Sequence, residues 1–114
     1  TLDDLSFVET HDCFTIAELI EYEAMGLTKI GEGCKAIEEG WVQKTGKLPI
    51  NPSGGLKSKG HPVGATGVSQ HVISAMQLTG EAGDMQINKA NLAGIFNMGG
   101  ASVANYVSIL ERLR

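Results

Sequence analysis

Hydrophobic positions along the chain change period several times, and each change marks a predicted element. Leu5 to Glu9 (LSFVE) is a short apolar run closing on polar residues, the pattern of a buried strand. From Thr15 the period lengthens: Ile16, Leu19, Ile20 and Ala24 fall at helical spacing, and Gly26 supplies a stop. Thr15 and Glu18 have the spacing of a capping box, in which the threonine oxygen accepts from the first turn while the carboxylate reaches back. A second helix is expected over residues 31–42, with Ala36, Ile37 and Trp41 on one face. Residues 46–59 hold Pro49, Pro52 and the adjacent Gly54 and Gly55, and read as a loop. Pro62 suits the first turn of a third helix, where its missing N–H costs nothing. Val68, Val72, Ala75 and Met76 form that helix's apolar stripe, and Gly80 ends it. Leu92 to Phe96 and Ser102 to Leu110 are apolar runs flanking Gly99-Gly100, which predicts an antiparallel pair. The order strand, helix, helix, loop, helix, strand, strand places the chain in the α/β class.

Length and charge narrow the picture further. A chain of 114 residues builds one small domain with one modest core. A net charge of −4 with no basic run argues against nucleic-acid binding, which rests on clustered Lys and Arg. No apolar stretch is long enough to span a bilayer. The N-terminal TLDDLSF lacks a signal-peptide pattern, and the C-terminal ERLR carries no lipidation or peroxisomal tag. Cys13 and Cys34 are too few for a disulfide framework or a four-ligand zinc site, so a cytoplasmic, reduced-thiol setting is the default expectation. The first strand comes almost at once and needs neighbours, so the chain is expected to be a piece of a larger protein.

The chemistry concentrates in Asn51 to Gly67, NPSGGLKSKGHPVGATG. A phosphate-cradling loop fails here, because His61-Pro62 stands where Lys and Ser/Thr are required. The dinucleotide pattern G-x-G-x-x-G is absent as well. Two readings stay open. In one, the glycines serve helix packing and His61 is a satisfied polar residue. In the other, Pro62 and the helix start hold a neutral imidazole ready to take a proton from a thiol or hydroxyl.

Three stretches then match one family in order. The GHPVGATG segment resembles the GHP loop of thiolases. His11-Asp12-Cys13-Phe14 resembles the HDCF motif of sterol-carrier-protein type thiolases, where most thiolases carry NEAF. Asn97-Met98-Gly99-Gly100 stands where other thiolases have their C-terminal CxG motif. The resemblance covers essentially the whole chain and implies a thiolase-like fold, C-terminal half, with helices packed on a mixed sheet.

That resemblance also implies roles. The parent enzyme transfers acyl groups between coenzyme A thioesters through a cysteine acyl-enzyme, the nucleophile lying in an N-terminal half outside this chain. His61 accepts the nucleophile's proton. Cys13 is the acid–base thiol that most thiolases keep in CxG; here Asn97 occupies that place, a coupled swap that points to the subfamily. His11 helps polarise the thioester oxygen, directly or through a water, and the Gly99 N–H contributes to a second oxyanion site. The resemblance implies coenzyme A thioesters as substrates, no permanently bound cofactor and no metal. It further implies an N-terminal thiolase domain of the same protein as partner, dimers or tetramers, and no activity for these residues alone. Rival readings are a thiolase-fold, lipid-transfer-type aldolase and a non-catalytic thiolase-like subunit.

Each residue also has a plainer reading. Cys13 is an ordinary buried thiol, His11 a turn residue, and Gly99-Gly100 a hairpin turn. Cys34 is read as packing, His71 as a surface or interhelix residue, and Glu38-Glu39 as a solvated face. Lys57 and Lys59 either neutralise coenzyme A phosphates or face solvent.

Overall fold

The computed structural model describes residues 1–113. Three strands form one mixed sheet in the order β1 (Phe7–Glu9), β2 (Leu92–Gly99), β3 (Ala104–Glu111). β1 runs parallel to β2, pairing Phe7 with Ala93, and β2 runs antiparallel to β3, pairing Gly99 with Ala104. Between β1 and β2 lie four helices: α1 (Thr15–Ala24), α2 (Gly33–Glu38), α3 (Gly55–Lys59) and α4 (Thr66–Thr79). Val8 also bridges Ile50 in parallel fashion.

Successive strand side chains point to opposite faces, so the sheet buries two clusters. On one face Val8 packs with Tyr22, Leu27, Ala36, Leu48 and Ile50. On the other Phe7 and Ala93 pack with Leu78, Ile87 and Ala90. Among the described residues no helix is long and apolar enough to cross a membrane.

The helical periods are where the sequence places them, but their phase differs. α1 begins at Thr15 as expected, yet Ile16 and Ile20 are 61% and 55% exposed while Glu21 and Tyr22 are buried. Of the four expected positions, Leu19 packs on the core. α4 likewise turns Val68, Val72 and Ala75 outward and buries Thr66, Gln70, Ser74, Gln77 and Leu78. The inward glutamines hydrogen-bond to backbone: Gln70 donates to the Phe96 carbonyl (3.2 Å), and Gln77 both donates to Met85 O and accepts from Ile87 N–H. Most of that polar face is partnered, but Gln70 Oε1 and the Ser74 hydroxyl have no partner among the described residues.

Glu21, buried on α1, has a similar gap. The Thr10 hydroxyl donates to one of its oxygens, but the other, Oε1, has no partner among the described residues. Burial pushes its carboxyl from 4.5 up to about 7, with the Thr10 hydrogen bond pulling the other way.

Several boundaries shift. Thr15 makes no capping box: Phe14 is the N-cap, and Glu18 instead accepts from the Tyr22 hydroxyl (2.8 Å), Asn51 and Lys57. The second helix is shorter than residues 31–42, because Gly40 adopts φ +70° and Trp41 N–H turns back to the Ala36 carbonyl. Ala36 is buried on that helix while Ile37 is half exposed. The expected loop over 46–59 contains α3. Pro62 lies before α4 rather than within it, its carbonyl accepting from Ala65 and Thr66 N–H. Gly80 ends α4 with a left-handed φ of +81°, as predicted. β2 continues to Gly99, past the expected Phe96.

Candidate active site

Because β1 and β2 are parallel, their carboxyl ends lie at the same end of the sheet, where ligand crevices form in such folds. His11, Asp12 and Cys13 follow β1, Asn97 to Gly99 close β2, and His61 precedes α4. These segments meet in an open cleft of about 880 Å³, lined among others by His11, Cys13, His61, Asn97 and Gly99. The four residues singled out in the sequence therefore share one cavity.

The two imidazoles stand edge to face, their centroids 4.7 Å apart and planes at 88°. His11 is buried; its Nδ1 lies 2.6 Å from the Asn97 amide oxygen. That oxygen only accepts, so Nδ1 carries the proton and Nε2 keeps a lone pair. His61 is exposed to the cleft, with Nδ1 2.7 Å from the buried Thr66 hydroxyl. Thr66 in turn donates to the Pro62 carbonyl (3.3 Å), so it accepts from His61 and leaves Nε2 as the free base. Two histidines are thus held in defined orientation by residues that the sequence reading did not single out for this task. Asn97 stands in the NMGG stretch itself, and Thr66 sits five residues beyond His61.

Cys13 is partly exposed and unpaired. Gly67 lies close beside Asn97: a Cβ there would lie 2.7 Å from the amide nitrogen and would push on the side chain that holds His11. At Gly99 a Cβ would meet nothing within 4 Å, so no neighbour in this chain demands glycine there. The turn after it is tight: Gly100, Ala101 and Ser102 all have positive φ.

The remaining sequence candidates resolve individually. Lys59 pairs with the buried Glu9 at 3.3 Å, and Lys57 pairs with Glu18 and Asp12. Burial opposes the Lys57 charge, but the Glu18 and Asp12 carboxylates outweigh it and hold the ammonium above its ordinary value. Both lysines therefore brace the loop before His61. His71 lines the cleft and ties α4 to β3, bonding Gly67 O at 2.7 Å and the Ser108 hydroxyl at 3.0 Å. Cys34 is exposed on α2, contrary to a packing role. Glu38 and Glu39 are exposed, as expected. Among the described residues no three His, Cys, Asp or Glu side chains gather closely enough to hold a metal ion.

Comparison with known proteins follows the same lines. Residues 1–112 match the family model described as thiolase C-terminal domain-like. An acetyl-CoA acetyltransferase of Methanothermobacter thermautotrophicus is 43% identical over 112 residues, covering 98% of this chain and 29% of that protein. Sterol carrier protein 2 of Bos taurus is 51% identical over 96 residues, 84% of this chain and 18% of that protein. The chain thus spans less than a third of these relatives' length. A solved structure titled Ltp2-ChsH2(DUF35) aldolase superposes with a TM-score of 0.80 over 96% of this chain and 27% of that one. At 21% identity that likeness establishes the fold alone.

Proposed function

Because the chain belongs to the thiolase C-terminal domain-like family, we propose that it supplies the base and the acid–base thiol of a thiolase. In this reading the protein transfers acyl groups between coenzyme A thioesters, by thiolytic cleavage of a 3-ketoacyl thioester or by the reverse Claisen condensation. The observation that carries it is the meeting of two oriented imidazoles, 4.7 Å apart, in the cleft that Cys13 also lines.

A nucleophilic cysteine, supplied by an N-terminal thiolase domain of the same protein, gives its proton to the His61 Nε2 lone pair and becomes a thiolate. The imidazolium so formed has a donor at Nε2 for the thioester oxygen. His11 Nε2 has no proton of its own, so it accepts from a water whose second O–H donates to that oxygen. The thiolate adds to the acyl carbon and coenzyme A leaves, its sulfur protonated by Cys13. In the carbon–carbon step the Cys13 thiolate takes the α-proton of the second thioester, or the thiol returns a proton to that carbon in the cleavage direction. Gly99, open toward the cleft, offers its N–H to the oxygen that gains charge. The apolar side chains that α4 turns outward, Val68 and Val72, suit contact with the rest of a larger, oligomeric enzyme. Two unpaired cysteines suit a reducing cytoplasmic setting.

The test is cleavage of acetoacetyl-CoA by the intact protein, with and without free coenzyme A. Thiolysis needs the free thiol as acyl acceptor, whereas hydrolysis does not, and a retro-aldol cleavage requires a 3-hydroxy thioester and leaves acetoacetyl-CoA intact. We expect coenzyme A-dependent turnover that falls about 10²–10⁴-fold in His61→Ala. Cleavage independent of coenzyme A, or a His61→Ala variant within tenfold of the parent, contradicts the proposal.

A further inference from the structure

We infer that Asp12 is a positioning residue whose carboxylate clamps the His11–Cys13 turn to the segment that carries His61. His11 and Cys13 both line the cleft, but Asp12, between them, does not. Its side chain points the other way and is only 3% exposed. There Oδ1 accepts from Leu56 N–H at 2.7 Å, and Oδ2 receives a weaker approach from Lys57 N–H at 3.4 Å, both in the first turn of α3. Lys57 Nζ, 3.7 Å away, balances the charge. Hydrogen bonds to an ionised acceptor are roughly twice as strong as neutral ones, so this contact is a firm one.

The opposite wall is equally demanding. A Cβ on Gly55 would lie 2.3 Å from Oδ2 and 2.6 Å from Cγ, and Gly55 also has φ +66°. The second glycine of NPSGG is thus the surface against which the carboxylate seats. Two neighbouring contacts run the same way. Thr10 N–H donates to the Asn51 side chain at 2.8 Å, and the Ser53 hydroxyl donates to Glu9 at 2.7 Å. The exit of β1 is therefore fastened to residues 51–57, and α3 with Gly60 leads directly to His61. Loosening the Asp12 contact lets the two turns slide relative to each other without touching any group in the cleft. Misplacement of reacting groups by about 1 Å costs up to about 10²-fold in rate.

What this positioning serves rests on the thiolase reading; the clamp itself rests on geometry. The experiment compares Asp12→Ala and Asp12→Asn in the intact protein by steady-state thiolysis of acetoacetyl-CoA and by ¹⁵N-histidine NMR. Asp12→Ala is expected to lower kcat roughly tenfold to a hundredfold with KM changed less than about twofold. Asp12→Asn, which retains an acceptor for Leu56 N–H, is expected to recover part of the loss; it also carries the test should the alanine variant not fold. The imidazole signals of His11 and His61 should move in both, while those of His71, held by Ser108, stay in place. An unchanged kcat, a loss that falls on KM, or stationary His11 and His61 signals overturns the inference. If the parent protein turns over no acetoacetyl-CoA, the thiolase reading fails, and the NMR shifts alone then decide whether the clamp exists.

Discussion

His61 and His11 face each other at 4.7 Å, yet each is oriented by a different neutral partner. Thr66 fixes the first and Asn97 the second, and both leave Nε2 free. In the proposed reaction Thr66 is therefore a positioning partner of the base. Replacing Thr66 by Val keeps its volume and removes the acceptor for His61 Nδ1–H. Because His61 is exposed and water can take the vacated proton, stability should fall by no more than about 1 kcal/mol. Turnover should fall about tenfold, since the tautomer is no longer fixed. Thermal melting and steady-state kinetics check the two halves; a large stability loss with unchanged kcat contradicts the assignment. At this scale the sequence was informative for residues with unusual neighbours. His61 stood out through Gly60 and Pro62, and Cys13 and His11 through the HDCF resemblance. Thr66 did not, because a threonine in a first helical turn is chemically ordinary, and Asn97 stood out only for its place in the CxG position, not for the contact to His11 that the fold creates.

At the scale of elements, α1 and α4 teach the same lesson. Their lengths were readable from periodicity, and their stops from Gly26 and Gly80, but their orientation was not. The hydrophobic stripe of α4 faces out while Gln70 and Gln77 find backbone partners inside, a pairing no periodicity reveals. α1 buries Glu21 for a weaker return, with Oε1 unpartnered. This has a pH signature. The folded carboxyl titrates near 7 rather than 4.5, so folding favours its protonated form. The carboxyl therefore imposes no penalty below about pH 4.5, and stability is lost as pH rises through 7. At 1.36 kcal/mol per unit, the loss by pH 8 approaches about 3 kcal/mol at most. Glu21→Gln should flatten the dependence of thermal stability on pH between 5 and 8. Parallel profiles for parent and variant would show that Glu21 does not titrate in this window.

For the whole molecule, the element sequence and the antiparallel final pair were legible, since apolar runs around Gly99-Gly100 specify a hairpin locally. The parallel pairing of β1 with β2 was not, because it joins residues more than eighty positions apart through four helices. That pairing creates the site: it puts the exit of β1 beside the end of β2, with the segment before α4 completing the cleft. Motif order anticipated the convergence of His11, Cys13, His61 and Gly99 through family resemblance, whereas the physical route to it is the parallel crossover. The carboxylate network behind the cleft, with Glu9 and Asp12 taking Lys59 and Lys57, likewise emerges only when the two loops are brought together.

The central claim is that Cys13 and His61 do separate proton work at one acyl centre. The most direct measurement is hydrogen–deuterium exchange at the α-carbon of acetyl-CoA in D₂O, catalysed by the intact protein, beside acyl transfer to its nucleophile. Cys13→Ser should lower exchange by about 10²-fold or more and slow acylation much less, because coenzyme A can depart as a thiolate without its acid; His61→Ala should suppress acylation. Undiminished exchange in Cys13→Ser, or acylation indifferent to His61, would contradict it.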